Sequence, residues 1–145
     1  MRRLFPIILL AVLPIACNRA APPAAVSGPQ SSPGWLVRYN AAAALARRGS
    51  DKAVEEPVRG TLLDMLDEDQ QMRNNRETKD GKEVTDIATA QLTVVTTLKA
   101  LTELHHRRPE LDLAPFKPAV DKLKSSPSLA VSTEAKKAEQ IFAAK

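Results

Sequence analysis

The chain has a single cysteine, Cys17, among its 145 residues. No intrachain disulfide can form, and a cysteine-based zinc site is excluded. Glycine is scarce, with five residues standing apart from one another. That excludes collagen-like repeats and glycine-rich loops. No Gly-rich phosphate loop, Gly-x-Ser-x-Gly, His-Glu-x-x-His or Cys-x-x-Cys-His motif is present. No carboxylate pair sits in a recognisable apolar context. The sequence thus offers no catalytic residue, cofactor-binding residue or metal-ligand set, and it reads as a non-enzyme. No segment sustains period-2 alternation, so no sheet is expected. Long apolar runs are also missing. Leu4 to Ile15 is apolar over 12 residues, short of the roughly 20 that span a bilayer as a helix.

What is present begins with an address. Arg2 and Arg3 precede the apolar run, and a small residue, Ala16, closes it. This is the build of a secretory signal peptide over residues 1–16. Leu13-Pro14-Ile15-Ala16-Cys17 resembles the lipobox of bacterial lipoproteins, in which a small residue precedes a cysteine that becomes the new N-terminus. Pro14 stands where that family usually has Leu or another aliphatic residue. The resemblance implies a diacylated Cys17; the other readings are an ordinary secretory signal beside a chance cysteine and a retained cytosolic N-terminus. Residues 18–33 hold four Pro and no apolar period, so 17–33 reads as a lipidated cysteine and a disordered linker. At about 3.1 Å per residue it would reach up to roughly 50 Å. Loss of Arg2 and Arg3 leaves 19 Lys and Arg against 17 Asp and Glu. A mature chain so nearly neutral speaks against nucleic-acid binding.

Residues 34–145 read as a helical domain. The apolar fraction of 43% is too high for a disordered chain. Trp35 to Arg48 is Ala-rich with an apolar side, and Gly49 suits the position past its end. Ser50 or Asp51 can cap a second helix, about Ala53 to Leu66, whose regular part can also begin at Pro57. Residues 67–83 carry ten charges and one apolar side chain, Met72. They read as a solvated loop or a frayed helix end. Thr85 to His106 is the longest helix. Ile87, Gln91, Val94, Leu98 and Leu101 share one face, with Ala88, Leu92 and Val95 beside them. Pro115 to Lys124 is short, with Phe116, Ala119, Val120 and Leu123 inward. Ser126-Pro127 caps a last helix, about Ser128 to Ala144, with Val131, Ala135, Ala138, Ile141 and Phe142 on one face.

Val37-Arg38-Tyr39-Asn40-Ala41-Ala42-Ala43-Ala44-Leu45-Ala46 resembles the second-helix signature of HEAT repeats. Gly49-Ser50-Asp51 matches their turn, and Leu62 to Asp67 their next first helix. Asp67 to Met72-Arg73 resembles the inter-helix turn leading to another aliphatic-Arg pair, with Arg73 lying 35 residues after Arg38. Arg76 to Gly81 departs from the pattern and reads as an insertion. Phe116–Leu123 with Val131–Phe142 resembles a degenerate third pair. The resemblance implies an all-α, right-handed α-α superhelix of about five helices, a short HEAT-like solenoid. It implies a structural ion pair for Arg38, a structural role for Arg73, and a protein-binding scaffold.

The remaining candidates carry two readings each. Arg47, Arg48, His105, Arg107, Arg108 and Lys145 fall at helix C-termini, where each can complement a helix dipole. If the first, third and last long helices are equivalent in a stack, the same residues line one binding edge. His105 and His106 point about 100° apart on a helix and cannot chelate one metal together. Asp67-Glu68-Asp69 lacks the Gly and terminal Glu of a calcium loop. Thr89, Thr93 and Thr96 form a solvated stripe or a partner groove. Trp35 is a cap on the first helix or an interface anchor. The sequence therefore predicts an exported lipoprotein facing the periplasm or cell exterior. It would be anchored to a membrane and would hold another envelope protein, with no cofactor. An accessory enzyme subunit of the HEAT-like lyase type, or a purely structural envelope lipoprotein, is the alternative.

Overall fold

The computed structural model describes residues 34–143. The signal-peptide, lipidation and linker expectations, and Lys145, lie outside the described residues. The order is α1 Gly34–Arg47, a 3-10 turn Asp51–Val54, α2 Val58–Leu66, α3 Glu68–Asn74, β1 Arg76–Lys79 and β2 Lys82–Thr85. Then follow α4 Ile87–Arg107, a 3-10 turn Ala114–Phe116, α5 Lys117–Leu123 and α6 Leu129–Ala143. The helices carry the core, as the apolar periodicity predicts. The hairpin β1–β2 corrects the expectation of no sheet.

In α1, Tyr39, Ala42, Ala43 and Ala46 are buried at helical spacing. The small alanines leave room for α4 to pack closely. Gly49 ends the helix at φ 74°. Its N–H reaches the Ala46 carbonyl at 3.0 Å, and the Ser50 N–H reaches the Leu45 carbonyl at 3.1 Å, the bonding of a Schellman motif. Ser50 Oγ accepts from Lys52 N at 3.3 Å, so it caps the 3-10 turn and not a long second helix. Pro57 supplies no N–H and disfavours a helical residue before it. Accordingly, α2 begins only at Val58.

Residues 67–83 are not an open loop. Asp67 caps α3, its side chain accepting from Gln70 N at 3.2 Å. Gln71 in this helix is fully buried. Its Nε2 donates to Tyr39 Oη at 3.1 Å and to the Asp64 carbonyl at 2.8 Å. Asn74 Nδ2 donates to the same Tyr39 Oη at 3.1 Å. Polar side chains thus hold α3 against α1, and no apolar period announces it. The hairpin turns through Asp80 at φ 53° and Gly81 at φ 75°, the two positive values that a tight two-residue turn requires. Lys79 faces Lys82 across it. Both strands are exposed except at Thr85, which is why no alternation appears. Trypsin is expected to cut first, within residues 34–143, beside this turn at Lys79 or Lys82, while α3 resists. Early cleavage at Arg73 would show that the Tyr39–Gln71 contact does not hold α3.

Asp86 opens α4, accepting from the Thr89 N–H at 3.0 Å and the Thr89 hydroxyl at 2.6 Å. The hydroxyl first, then the backbone N–H, holds the Asp86 carboxyl below the usual range. Ala90, Val94, Thr97, Leu98, Leu101 and Leu104 form the core face. Ile87, Ala88 and Leu92, expected on or beside it, are exposed. Phe116, Val120, Leu123, Val131, Ala135 and Ala138 are buried as their spacing predicts. Ser126 Oγ accepts from Ser128 N at 3.1 Å, and α6 begins one residue later.

The ends of three helices meet. A methyl at Gly49 would stand 3.1 Å from Arg107 Cβ, and Arg108 Nη1 donates to the Gly49 carbonyl at 3.2 Å. The His105 and Phe142 rings lie edge to face at 5.9 Å. The last turns of α1, α4 and α6 are therefore together, and α1 and α6 both pack on α4. A helix meeting the end of α4 in the opposite sense would run off it, so the three run parallel. Substituting Gly49→Ala should cost about 1–2 kcal/mol from the left-handed backbone, with added crowding at Arg107. Equilibrium urea unfolding measures it, and an unchanged midpoint would count against this joint.

Candidate functional site

The C-terminal end of the parallel helices carries most of the expected basic edge. Arg47 and Arg48 are exposed and, among the described residues, have no carboxylate partner. Arg107 pairs with Glu103 at 2.7 Å. Arg108 pairs with Glu110, which raises the guanidinium pKa and lowers that of the carboxyl. The α1 and α4 arginines are thus brought to one end, but half of them carry their own counter-ions. His105 does not belong to this edge. It is 8% exposed, because position 105 falls on the core face of α4, while His106 takes the exposed side.

His105 instead lines a cavity of about 210 Å³. Leu111, Leu113 and Phe142 supply apolar wall, and Asp112 and Lys117 stand at its margin. His105 Nδ1 is buried without a hydrogen-bond partner. Sequence reasoning missed this cavity, since the segment 108–116 that closes it has no regular period.

Trp35 is half-buried, its ring 5.1 Å from that of Tyr39 and tilted by 59°. It covers the tyrosine whose hydroxyl holds Gln71 and Asn74. The ion pair implied for Arg38 is absent among the described residues, and Arg73 does not take the equivalent place in a second copy of the motif. Arg38 is exposed, and Arg73 donates to Gln70 Oε1 at 2.8 Å. The cause is that 68–74 is a helix and not a turn, so Arg73 does not begin a second copy of α1. Thr93 bonds back to the Thr89 carbonyl at 3.0 Å and Thr97 to that of Thr93 at 2.8 Å. Asp67, Glu68 and Asp69 are engaged separately, as a cap, with Ser126 at 3.0 Å and with Lys122 at 3.5 Å.

The opposite end of the domain exposes aliphatic side chains beside the charged hairpin, which the sequence does not announce. Leu36 and Val37 on α1, Val84 on β2, Ile87 and Leu92 on α4, and Leu129 on α6 are all exposed. Val37 and Leu92 are each 63% exposed and Leu129 81%. Leu92 lies about 160° round α4 from Ala90 and Val94, both fully buried, so it is exposed because it faces away from the packed helices. For Ile87, at the start of α4, helix length also counts. α4 has 21 residues, against 14 in α1 and 15 in α6. With the C-terminal ends together, the first turns of α4 extend past both neighbours. None of the described helices is long and apolar enough to cross a membrane. No family model matches this chain, and no curated protein or solved structure matches it.

Proposed function

We propose that the chain is an exported lipoprotein, anchored through Cys17, whose HEAT-like helical domain holds another envelope protein. The observation that carries the scaffold reading is the meeting of α1, α4 and α6 at their C-terminal ends. In a stack of helix pairs, the second helices of successive pairs run parallel and share a continuous core. On this reading α1, α4 and α6 are those second helices, α2 and α5 are first helices, and α3 with the hairpin is inserted before α4. The step from such a stack to protein binding is one of analogy. The exposed Arg47 and Arg48 favour an acidic segment on the partner.

The test is crosslinking in intact cells with the full chain and with Arg47→Glu/Arg48→Glu. The wild type should capture a defined envelope protein, and the reversal should lose it while the variant stays helical by circular dichroism. Equal capture by both would remove the basic end as the binding face. A lyase-type accessory subunit would need a chromophore-sized cavity. The cavity beside His105, about 210 Å³, and a second of about 280 Å³ lined by Glu68, Lys122 and Pro127 are both below the roughly 300–1,000 Å³ of small-molecule sites.

A further inference from the structure

We propose that the N-terminal end of the helical domain docks on the bilayer surface that carries its anchor, by inserting aliphatic side chains. The proposal rests on the lipoprotein reading. Its first support is the sorting of side chains. The exposed large aliphatics of the described residues lie in the first turns of α1, α4 and α6 or on β2 just before α4. Because the three helices are parallel, their first turns share one end. His105 of α4 meets Phe142 of α6, and thirteen residues back from each stand Leu92 and Leu129. Gly49 meets Arg107, and the same counting sets Val37 level with Val95, one turn from Leu92.

The second support is where the remaining chain enters. Cys17 precedes Gly34 by a tether of 16 residues, 18–33, which joins the domain at this same end, through Trp35, Leu36 and Val37. The membrane is thus the surface that the anchor already holds within reach. At the effective concentration that a short tether imposes, a few weak apolar contacts suffice. Trp35 is of the type that partitions to the membrane interface, an apolar ring with one N–H.

Charge gives the contact its character. The hairpin has Arg76, Lys79 and Lys82 against Glu77, Asp80 and Glu83, so its charges cancel. Asp67 and Asp86 are engaged as helix caps. This end has no cationic excess, so the docking is apolar, with little dependence on salt or lipid charge. The basic C-terminal end faces away, free for a protein.

Trp35 is the only tryptophan, so its fluorescence reports on this end alone. The acylated full-length chain is reconstituted in neutral phosphatidylcholine vesicles, with and without bromine on the acyl chains. The expected result is a blue-shifted Trp35 emission, most of it quenched by the brominated lipid at both low and high salt. Val37→Glu/Leu92→Glu changes two exposed positions and should abolish quenching while the protein still floats with the vesicles. His106→Glu, exposed at the other end, should leave the quenching unchanged. A wild-type chain that floats with Trp35 unquenched overturns the docking and leaves the lipoprotein reading intact. Shielding of Trp35 that depends on protein concentration and not on bromine would assign this end to a second copy. A chain carrying no fatty acid overturns the lipoprotein reading, and the docking with it.

Discussion

Replacing Cys17 by alanine should move the protein out of the membrane fraction, or leave it as an uncleaved precursor. Each methylene of an acyl chain buried in the bilayer contributes about 0.8 kcal/mol, and two chains hold a protein where one holds it only marginally. Nothing else in the chain replaces that. The apolar run Leu4–Ile15 is 12 residues, too short to span, and no described helix can cross a membrane. The exposed aliphatics at the N-terminal end bind usefully only while a tether keeps them near the lipid. The measurement is twofold. Labelled palmitate should enter the wild-type chain and not Cys17→Ala, and a carbonate wash should release the variant alone. A wild-type protein that takes up no label would end the lipoprotein reading.

Phe116→Ala should be the most damaging of the single core truncations. Phe116 is the largest fully buried side chain among the described residues. It closes the 3-10 turn that leads into α5, and truncating it leaves a cavity that the surrounding core refills only in part. Truncations of this kind cost about 3–5 kcal/mol, against a total stability of about 5–15 kcal/mol for a domain. Leu92→Ala, at an exposed site, should change stability by less than about 0.5 kcal/mol. The two variants compared by urea denaturation separate core from surface. A loss below about 1 kcal/mol for Phe116→Ala would mean that the α5 region is not part of the cooperative core.

The basic end and the apolar end divide the labour of the proposed adaptor. On the docking proposed above, one would face the lipid, at the end where the chain enters. The other presents Arg47 and Arg48 without carboxylate partners among the described residues. The buried, unpartnered Nδ1 of His105 lies at this basic end, beside the cavity that Phe142 helps to wall. A buried imidazole nitrogen left unbonded detracts from stability.

Local chemistry by itself determined the helices that carry an apolar period and a stop. Ala42, Ala43 and Ala46 with Gly49 define α1, and Val131, Ala135 and Ala138 define α6. Pro57 determined that regular α2 begins late. Asp80-Gly81 held the hairpin signal, masked by strands without alternation. Other features were decided only by tertiary structure, because each depends on a second element. Gln71 is buried because Tyr39 of α1 and the Asp64 carbonyl receive its N–H groups, so a helix without an apolar stripe is held in place. His105 turns inward because Phe142 lies opposite. Leu92 belongs to an apolar helix, yet faces solvent because the neighbouring helices pack on the side of Ala90 and Val94, while Ile87 stands in the turn of α4 that extends past α1 and α6. Periodicity along one helix reports which side chains prefer burial; which of them are buried depends on the side from which the neighbouring helices pack and on how far those helices extend.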